Sequence, residues 1–339
     1  MNRSLAIAAA VTPLAAAAQP EFVTIGDPGN AGHPTDPFNS EPQFYQSRGA
    51  VPYRYRMAKT ELTWGDWVEF RDAVDASSVV IPGMSRGSYQ GNLPFGGDLV
   101  VPGSTFNDLP VAGISWRAAA AYCNWLHNGK SSQPEAFLDG AYDFATFGYD
   151  QSTDTYTDQA TRSPGARFWI PSIDEWLKAV HYDPNRHGQG QGGWWTYADS
   201  SDTRPVTGLP GEGETNAYLQ AQIGGTAWDI AVGAYPETQT PWGLLDATGG
   251  VTELLEGWIW PGEPYERPVD GSSIDGTINP FGNKPGEIFD FDHINRAGLY
   301  AEPDRASFRH GLRIAAAIPS PMTAAPLTLA LGIAPRRRR

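Results

Sequence analysis

Glycine and proline punctuate this chain from end to end: 38 Gly and 29 Pro occupy close to a fifth of its 339 residues. Glycine in a helix or strand interior costs backbone entropy, and proline removes a donor and clashes with the preceding turn. No long helix survives at that density, so a coiled coil or a helical bundle is excluded. Disorder is equally unsuitable, because 12% of the residues are aromatic, 12 of them Trp, and aromatics supply the apolar area that drives burial. The expected object is compact, loop-rich and aromatic-cored.

Charge narrows the class of partner. The formal net charge is −14. Five of the 24 basic residues are Arg3 and Arg336 to Arg339, which leaves 19 against 38 acidic ones in the body. So acidic a body repels phosphate backbones, and nucleic-acid binding is not expected. Clustered carboxylates on loops suit a hard cation such as calcium instead. Cys123 is the one cysteine. That excludes an internal disulfide, a Cys-based zinc site and any two-cysteine redox centre.

Both ends read as addresses. Arg3, the apolar stretch Leu5 to Leu14 and Ala16-Ala17-Ala18 before Gln19 form a secretory signal over residues 1–18; the plainer alternative is an Ala-rich tail. At the other end Pro319-Ser320-Pro321 precedes an apolar run, Met322 to Pro335, and four arginines. Interrupted by Pro326, that run is shorter than the ~20 residues a bilayer-spanning helix needs, so no stable transmembrane span is expected. The pattern over residues 319–339 resembles the PEP-CTERM sorting signal of exported bacterial proteins, with Ser320 where that signal usually carries Glu. The resemblance implies export to the cell envelope, cell surface or medium and a C-terminal sorting protease as partner; a basic tail touching anionic lipid is the alternative.

Between the ends, residues 19–318 show no linker or internal repeat and read as one domain. Phe22 to Ile25 and Tyr53 to Lys59 are strand candidates. A helix is expected from Thr63, with Trp67, Phe70 and Val74 on one face. A second starts after Ser115 and runs to Leu126, its apolar side made by Trp116, Ala119, Cys123 and Leu126, and Gly129 closes it. Ser172 and Glu175 form a capping box for a third, which Pro184 stops. Three helices among strands and turn-rich stretches (188–193, 205–213 and 261–286) indicate an α+β fold with segregated antiparallel strands.

The ordered segments also resemble a known family. Tyr53 to Thr63 with Trp67 to Phe70 is similar to the opening "K-x-E-V-T-…-F" of formylglycine-generating-enzyme-like (sulfatase-modifying factor) domains. Leu109 to Trp116 with Ala121 to Leu126 resembles "P-V-x-x-V-S-W … A-x-x-Y-C-x-W-L". Ala166 to Trp176 resembles "R-L-P-T-E-A-E-W", and Thr240 to Glu253 resembles "N-x-x-G-L-x-D-M-x-G-N-V-W-E". Gly271-Ser272 and Gly311 to Ile314 echo "G-G-S … G-F-R". Six blocks in order span residues 22–316, and they imply a C-type-lectin-like variant of the formylglycine-generating-enzyme fold.

The resemblance also sets functional expectations. The family's enzyme oxidises a sulfatase cysteine with copper held by two cysteines after "G-G-S"; residues 273–300 contain none, so no copper and no catalytic residue are expected, and Cys123 reads as a small buried hydrophobe. The six histidines, His33, His127, His181, His187, His293 and His310, show no metal-ligand spacing. A calcium motif does survive: Asp246 stands where the family has Asn, Gly249 and Val251 offer carbonyls, and Glu253 is retained. Asn216 is a candidate opening ligand of a second calcium site, for which Asp229 is a poor partner. The carboxylate pairs Asp290/Asp292 and Glu253/Glu256 are conceivable acid–base pairs, and Trp194-Trp195 a conceivable carbohydrate platform, although aromatics are more often core or loop anchors. Three readings follow: an exported, non-catalytic binding or structural module, calcium-stabilised, with an extracellular glycan or protein ligand; a divergent metal-dependent oxidoreductase or an Asp/Glu hydrolase; or an envelope component with no discrete ligand.

Overall fold

The computed structural model describes residues 20–34, 48–81, 107–223, 229–258, 264–271, 273–274 and 299–319. The signal segment, the sorting tail beyond Pro319, His293, Ser272 and the pair Asp290/Asp292 lie outside the described residues, as does most of 261–286.

The first sheet is a four-stranded antiparallel one in the order β1 (Phe22–Ile25), β2 (Tyr55–Ala58), β12 (Ala315–Ala316), β5 (Phe168–Trp169). Phe22 pairs with Ala58 and Ile25 with Tyr55, while Ala315 faces Met57 on one side and Trp169 on the other. The last strand of the domain therefore lies between strands from its beginning and its middle. The second sheet runs β10 (Leu299–Ala301), β9 (Arg267–Asp270), β8 (Thr252–Leu254), β11 (His310–Gly311), with β8 and β11 parallel and the other pairs antiparallel. Two-residue hairpins pair β3 (Tyr149–Asp150) with β4 (Thr155–Tyr156) and β6 (Tyr182–Asp183) with β7 (Gly193–Trp194).

The helices begin where their caps require. Helix α1 (Trp64–Ser77) opens on a capping box between Thr63 and Asp66 and ends at Ser78 in the left-handed region, φ 55°. Helix α2 (Trp116–His127) is capped by Ser115, whose side chain accepts from the Ala118 N–H. Gly129, φ +69°, closes it by donating to Leu126 O, and Lys130 N–H donates to Trp125 O, as a glycine-terminated helix end does. Helix α4 (Ile173–His181) carries the Ser172–Glu175 box; it stops at His181 rather than at Pro184, because Tyr182 and Asp183 pair with β7. Short helical turns, α3 (Glu135–Leu138) and α5 (Gln220–Ile223), complete the set among the described residues.

One expectation changes. The spacing in α2 suggests a one-sided apolar stripe, yet every residue from Trp116 to Leu126 is buried. A helix apolar on all sides belongs in the core, and its two polar residues are matched there. Arg117 makes a bidentate pair with Asp158, 2.8 and 2.6 Å. Asn124 donates to Phe137 O and Tyr142 O and accepts from the Tyr142 N–H at 2.7 Å. Helices α1 and α2 meet through rings: the Phe70 centroid lies 4.9 Å from Trp67, 5.4 Å from Tyr122 and 5.7 Å from Trp125. No described helix is long and apolar enough to cross a membrane.

Candidate functional site

The segment from Asp246 to Glu253 is a tight turn feeding β8. Asp246, Gly249 and Gly250 all have positive φ, 56°, 93° and 61°, which only glycine adopts freely and which Asp tolerates. The turn is held from both sides. Asn216 Oδ1 accepts from the Gly250 N–H at 2.8 Å, and Glu61 Oε1 accepts from the Val251 N–H at 2.8 Å. A Cβ on Gly249 would fall 2.0 Å from Asn216 Oδ1, and one on Gly250 would fall 2.2 Å from Glu61 Oε2. Asn216 thus joins the same turn as Gly249 and Val251, which brings together residues that the sequence places in two separate calcium motifs. Asp229 is exposed.

Glu253 is differently engaged. Its Oε1 accepts from Arg313 Nε at 2.8 Å, and its Oε2 accepts from the indole N–H of Trp176. Arg313 is fully buried. Its remaining N–H groups donate to Ala58 O and Lys59 O at 3.0 and 2.9 Å and to Leu245 O at 2.8 Å. The carboxylate of Asp246 receives the Gly233 N–H on both oxygens, 2.9 and 2.8 Å. Glu61 Oε2 is buried with no hydrogen-bond partner. The residues that complete this cluster, Glu61, Trp176 and Arg313, sit inside the sequence blocks quoted above, but nothing in their spacing tells that they meet.

Burial dominates the electrostatics. It pushes the Glu61 carboxyl well above its ordinary range, helped by the charges of Asp246 and Glu253. It lifts Asp246 to about 6 and also raises Glu253, against the pull of Arg313 in both cases. Two buried carboxyls, Glu61 and Glu253, and the partly buried Asp246 around one guanidinium carry more negative charge than Arg313 balances, and a low-dielectric interior makes that costly. A proton or a cation offsets it. As donors the residues fit calcium in part: Glu61 Oε2 has no hydrogen-bond partner, while the oxygens of Asp246, Asn216 and Glu253 are of the right kind but already accept from Gly233, from Gly250, and from Arg313 and Trp176. Among the described residues no three His, Cys, Asp or Glu side chains are grouped as a metal shell.

A second polar cluster lines a pocket of about 680 Å³ beside β2 and the loop before β5. Arg162 donates to Glu256 Oε2 at 2.8 Å, to Glu175 Oε1 at 2.9 Å and to the Tyr53 hydroxyl at 2.8 Å, and lies 4.2 Å over the Trp169 ring. Glu253 and Glu256, though close in sequence, serve different arginines and do not act as a pair. Burial lifts the Glu256 carboxyl to about 7, against the Arg162 charge that pulls it down. A carboxyl raised in the fold binds its proton more tightly there, so its stabilising contribution is complete below 4.5 and is lost as pH rises through about 7. Thermal melts across that window should show wild type losing stability relative to Glu256→Gln as pH rises, on the order of a few kcal/mol in total. A pH-independent difference would remove the assigned shift.

The other sequence candidates disperse. Cys123 is fully buried on α2 and burial holds its thiol well above the ordinary value. His127 Nδ1 accepts from the Arg167 N–H, His181 packs by Trp176, and His33 lies edge-on to Trp194. His310 is buried on β11 and kept neutral, its pKa lowered to about 4 by burial. Trp194 is buried against Gly49 and Tyr182, and Arg186 lies 4.4 Å over Trp195; the pair does not form one open platform.

Comparison with known proteins places this architecture. The model of the "Sulfatase-modifying factor enzyme 1-like domain" matches residues 12–284. The chain belongs to the sulfatase-modifying factor enzyme 1-like family. Its fold is similar to that of the solved structure of CarF, at 16% identity and TM-score 0.51, covering 89% of this chain and 99% of that one. Variable protein 1 of Treponema denticola is similar at 15% identity and TM-score 0.51, over 88% and 95% of the two chains. No curated protein matches. The Asp246–Glu253 turn of this sulfatase-modifying factor-like domain lies within the matched residues, and Arg313, which anchors it, lies beyond them.

Proposed function

We propose that this sulfatase-modifying factor-like protein is an exported, surface-sorted, non-catalytic module that binds an extracellular glycan or protein. The observation that carries the reading is its thiol inventory: one cysteine, buried in the α2 core, with its thiolate disfavoured. Soft thiolate ligands are what a copper site of this family would require. The pocket carboxylate Glu256 has both oxygens engaged by Arg162, which counts against its use as a free acid or base. The N-terminal signal and the Pro319–Arg339 tail support export and sorting. In a direct assay, purified full chain is expected to leave a sulfatase-type cysteine peptide unconverted in the presence of copper and oxygen; conversion to the aldehyde would overturn the reading.

Calcium belongs to this reading as a structural ion on Asp246, Asn216 and the Gly249 and Val251 carbonyls, supported by the excess of carboxyls (Glu61, Asp246 and Glu253) over the one guanidinium of Arg313. Calcium at ~100 times its dissociation constant should stabilise the fold by ~2.7 kcal/mol. Melting with calcium and with chelator checks this: the rise should vanish in Asp246→Ala. An unchanged melt in the intact chain would leave proton uptake as the means of neutralising the cluster.

A further inference from the structure

We propose that the pocket beside β2 is a subsite for a carboxylate-bearing sugar, with the exposed guanidinium of Arg54 as its charge-reading group and the Tyr53 ring as its wall. The inference rests on the binding-module reading and gives it a location and a ligand class. The pocket, about 680 Å³, is within the range of small-ligand sites and large enough for one or two sugar rings. Its charged lining consists of Arg54, Arg162 and Glu256; Arg162 is held by Glu175 and Glu256, which leaves Arg54 as the cation available to a ligand.

The two arginines have different duties. Arg162 is committed to Glu175, Glu256 and Tyr53 and is packed on Trp169. Arg54 is exposed and has no ion pair among the described residues. A free guanidinium is a planar double donor matched to a carboxylate. Tyr53 is 41% exposed, yet its hydroxyl donates to Glu175 Oε1 at 2.9 Å and accepts from Arg162. The ring is therefore held in place while it stays accessible, a preorganised apolar surface next to a charge. Hydroxyls of Thr161 and Ser163 border the same space. An apolar ring, a free guanidinium and hydroxyl groups in one recess match the mixed apolar, anionic and hydroxylated surface of a uronic acid.

Calorimetric titration of the full chain tests it with three probes: glucuronate, glucose and acetate. Glucuronate is expected to bind at least about ten-fold more tightly than either of the others, the margin of one charge-assisted hydrogen-bond pair. Arg54→Ala should lower that affinity about ten-fold or more, and Arg54→Glu should abolish it, with melting temperatures unchanged because the side chain is exposed. Equal binding of acetate would mean a bare anion site. Equal binding of glucose, or full affinity in Arg54→Ala, would remove the role of Arg54. No heat with any probe would overturn the subsite. None of these outcomes bears on the aldehyde assay, so the two readings fail separately.

Discussion

Arg313→Met is expected to cost the fold about 3–5 kcal/mol, because it leaves the buried Glu253 carboxylate without its cation. The guanidinium is fully buried and spends its donors on four separate acceptors: Glu253, Ala58 O, Lys59 O and Leu245 O. Those acceptors come from the end of β2, the turn before Asp246 and β8. Arg313 precedes β12, so one side chain ties the central strand region of the first sheet to the second sheet. Losing it orphans a charge and removes the side-chain donor from the Ala58 and Leu245 carbonyls, while Lys59 O keeps the Leu245 N–H at 2.8 Å; each buried unsatisfied acceptor adds its own desolvation cost. Typical domain stability is about 5–15 kcal/mol, so the loss is a large fraction of the whole. Urea unfolding is the measurement. Arg313→Lys should recover only part, since a point charge with three donors cannot span the same fork. The loss in Glu253→Leu combined with Arg313→Met should fall well below the sum of the two single losses, because the pair is then removed together. A single-variant loss under about 1 kcal/mol would show that the cluster is not structural.

Gly250→Ala is the other large effect, expected at about 2–5 kcal/mol from steric crowding plus the left-handed backbone. The added methyl would lie 2.2 Å from Glu61 Oε2 and 2.4 Å from its Oε1, at φ +61°. Glu61 is buried and its Oε1 holds the Val251 N–H, so the carboxyl moves aside only by releasing the turn. Gly129→Ala offers the matched control: its φ is close, +69°, but its methyl meets nothing within 4 Å. Comparing the two urea midpoints separates collision from backbone strain, and equal losses would assign the effect to strain alone.

The caps, the glycine stop of α2 and the strand at Phe22–Ile25 were legible because each depends on neighbours in sequence. So was the family, through six ordered blocks that no single motif would carry. In α2 the sequence shows one apolar side, Trp116, Ala119, Cys123 and Leu126; that Arg117 and Asn124 are buried as well depends on Asp158 and Tyr142, distant along the chain, which match them inside the core. The capping box of α4 was visible, but not that its Glu175 also faces Arg162 and Tyr53.

The candidate site divides in the same way. By itself the sequence determined that a glycine turn flanked by Asp246 and Glu253 would exist, that the chain has one cysteine, and that loops would outweigh regular elements. These follow from backbone sterics and composition, which are local. Only the tertiary structure decided that Glu253 answers to Arg313 and Trp176, that Asn216 and Glu61 clamp the turn from either side, and that Arg162 rather than a Glu253–Glu256 pair organises the pocket. Burial is the physical reason: a carboxylate in water needs no particular partner, but one removed from water must find its donors wherever the packed chain brings them.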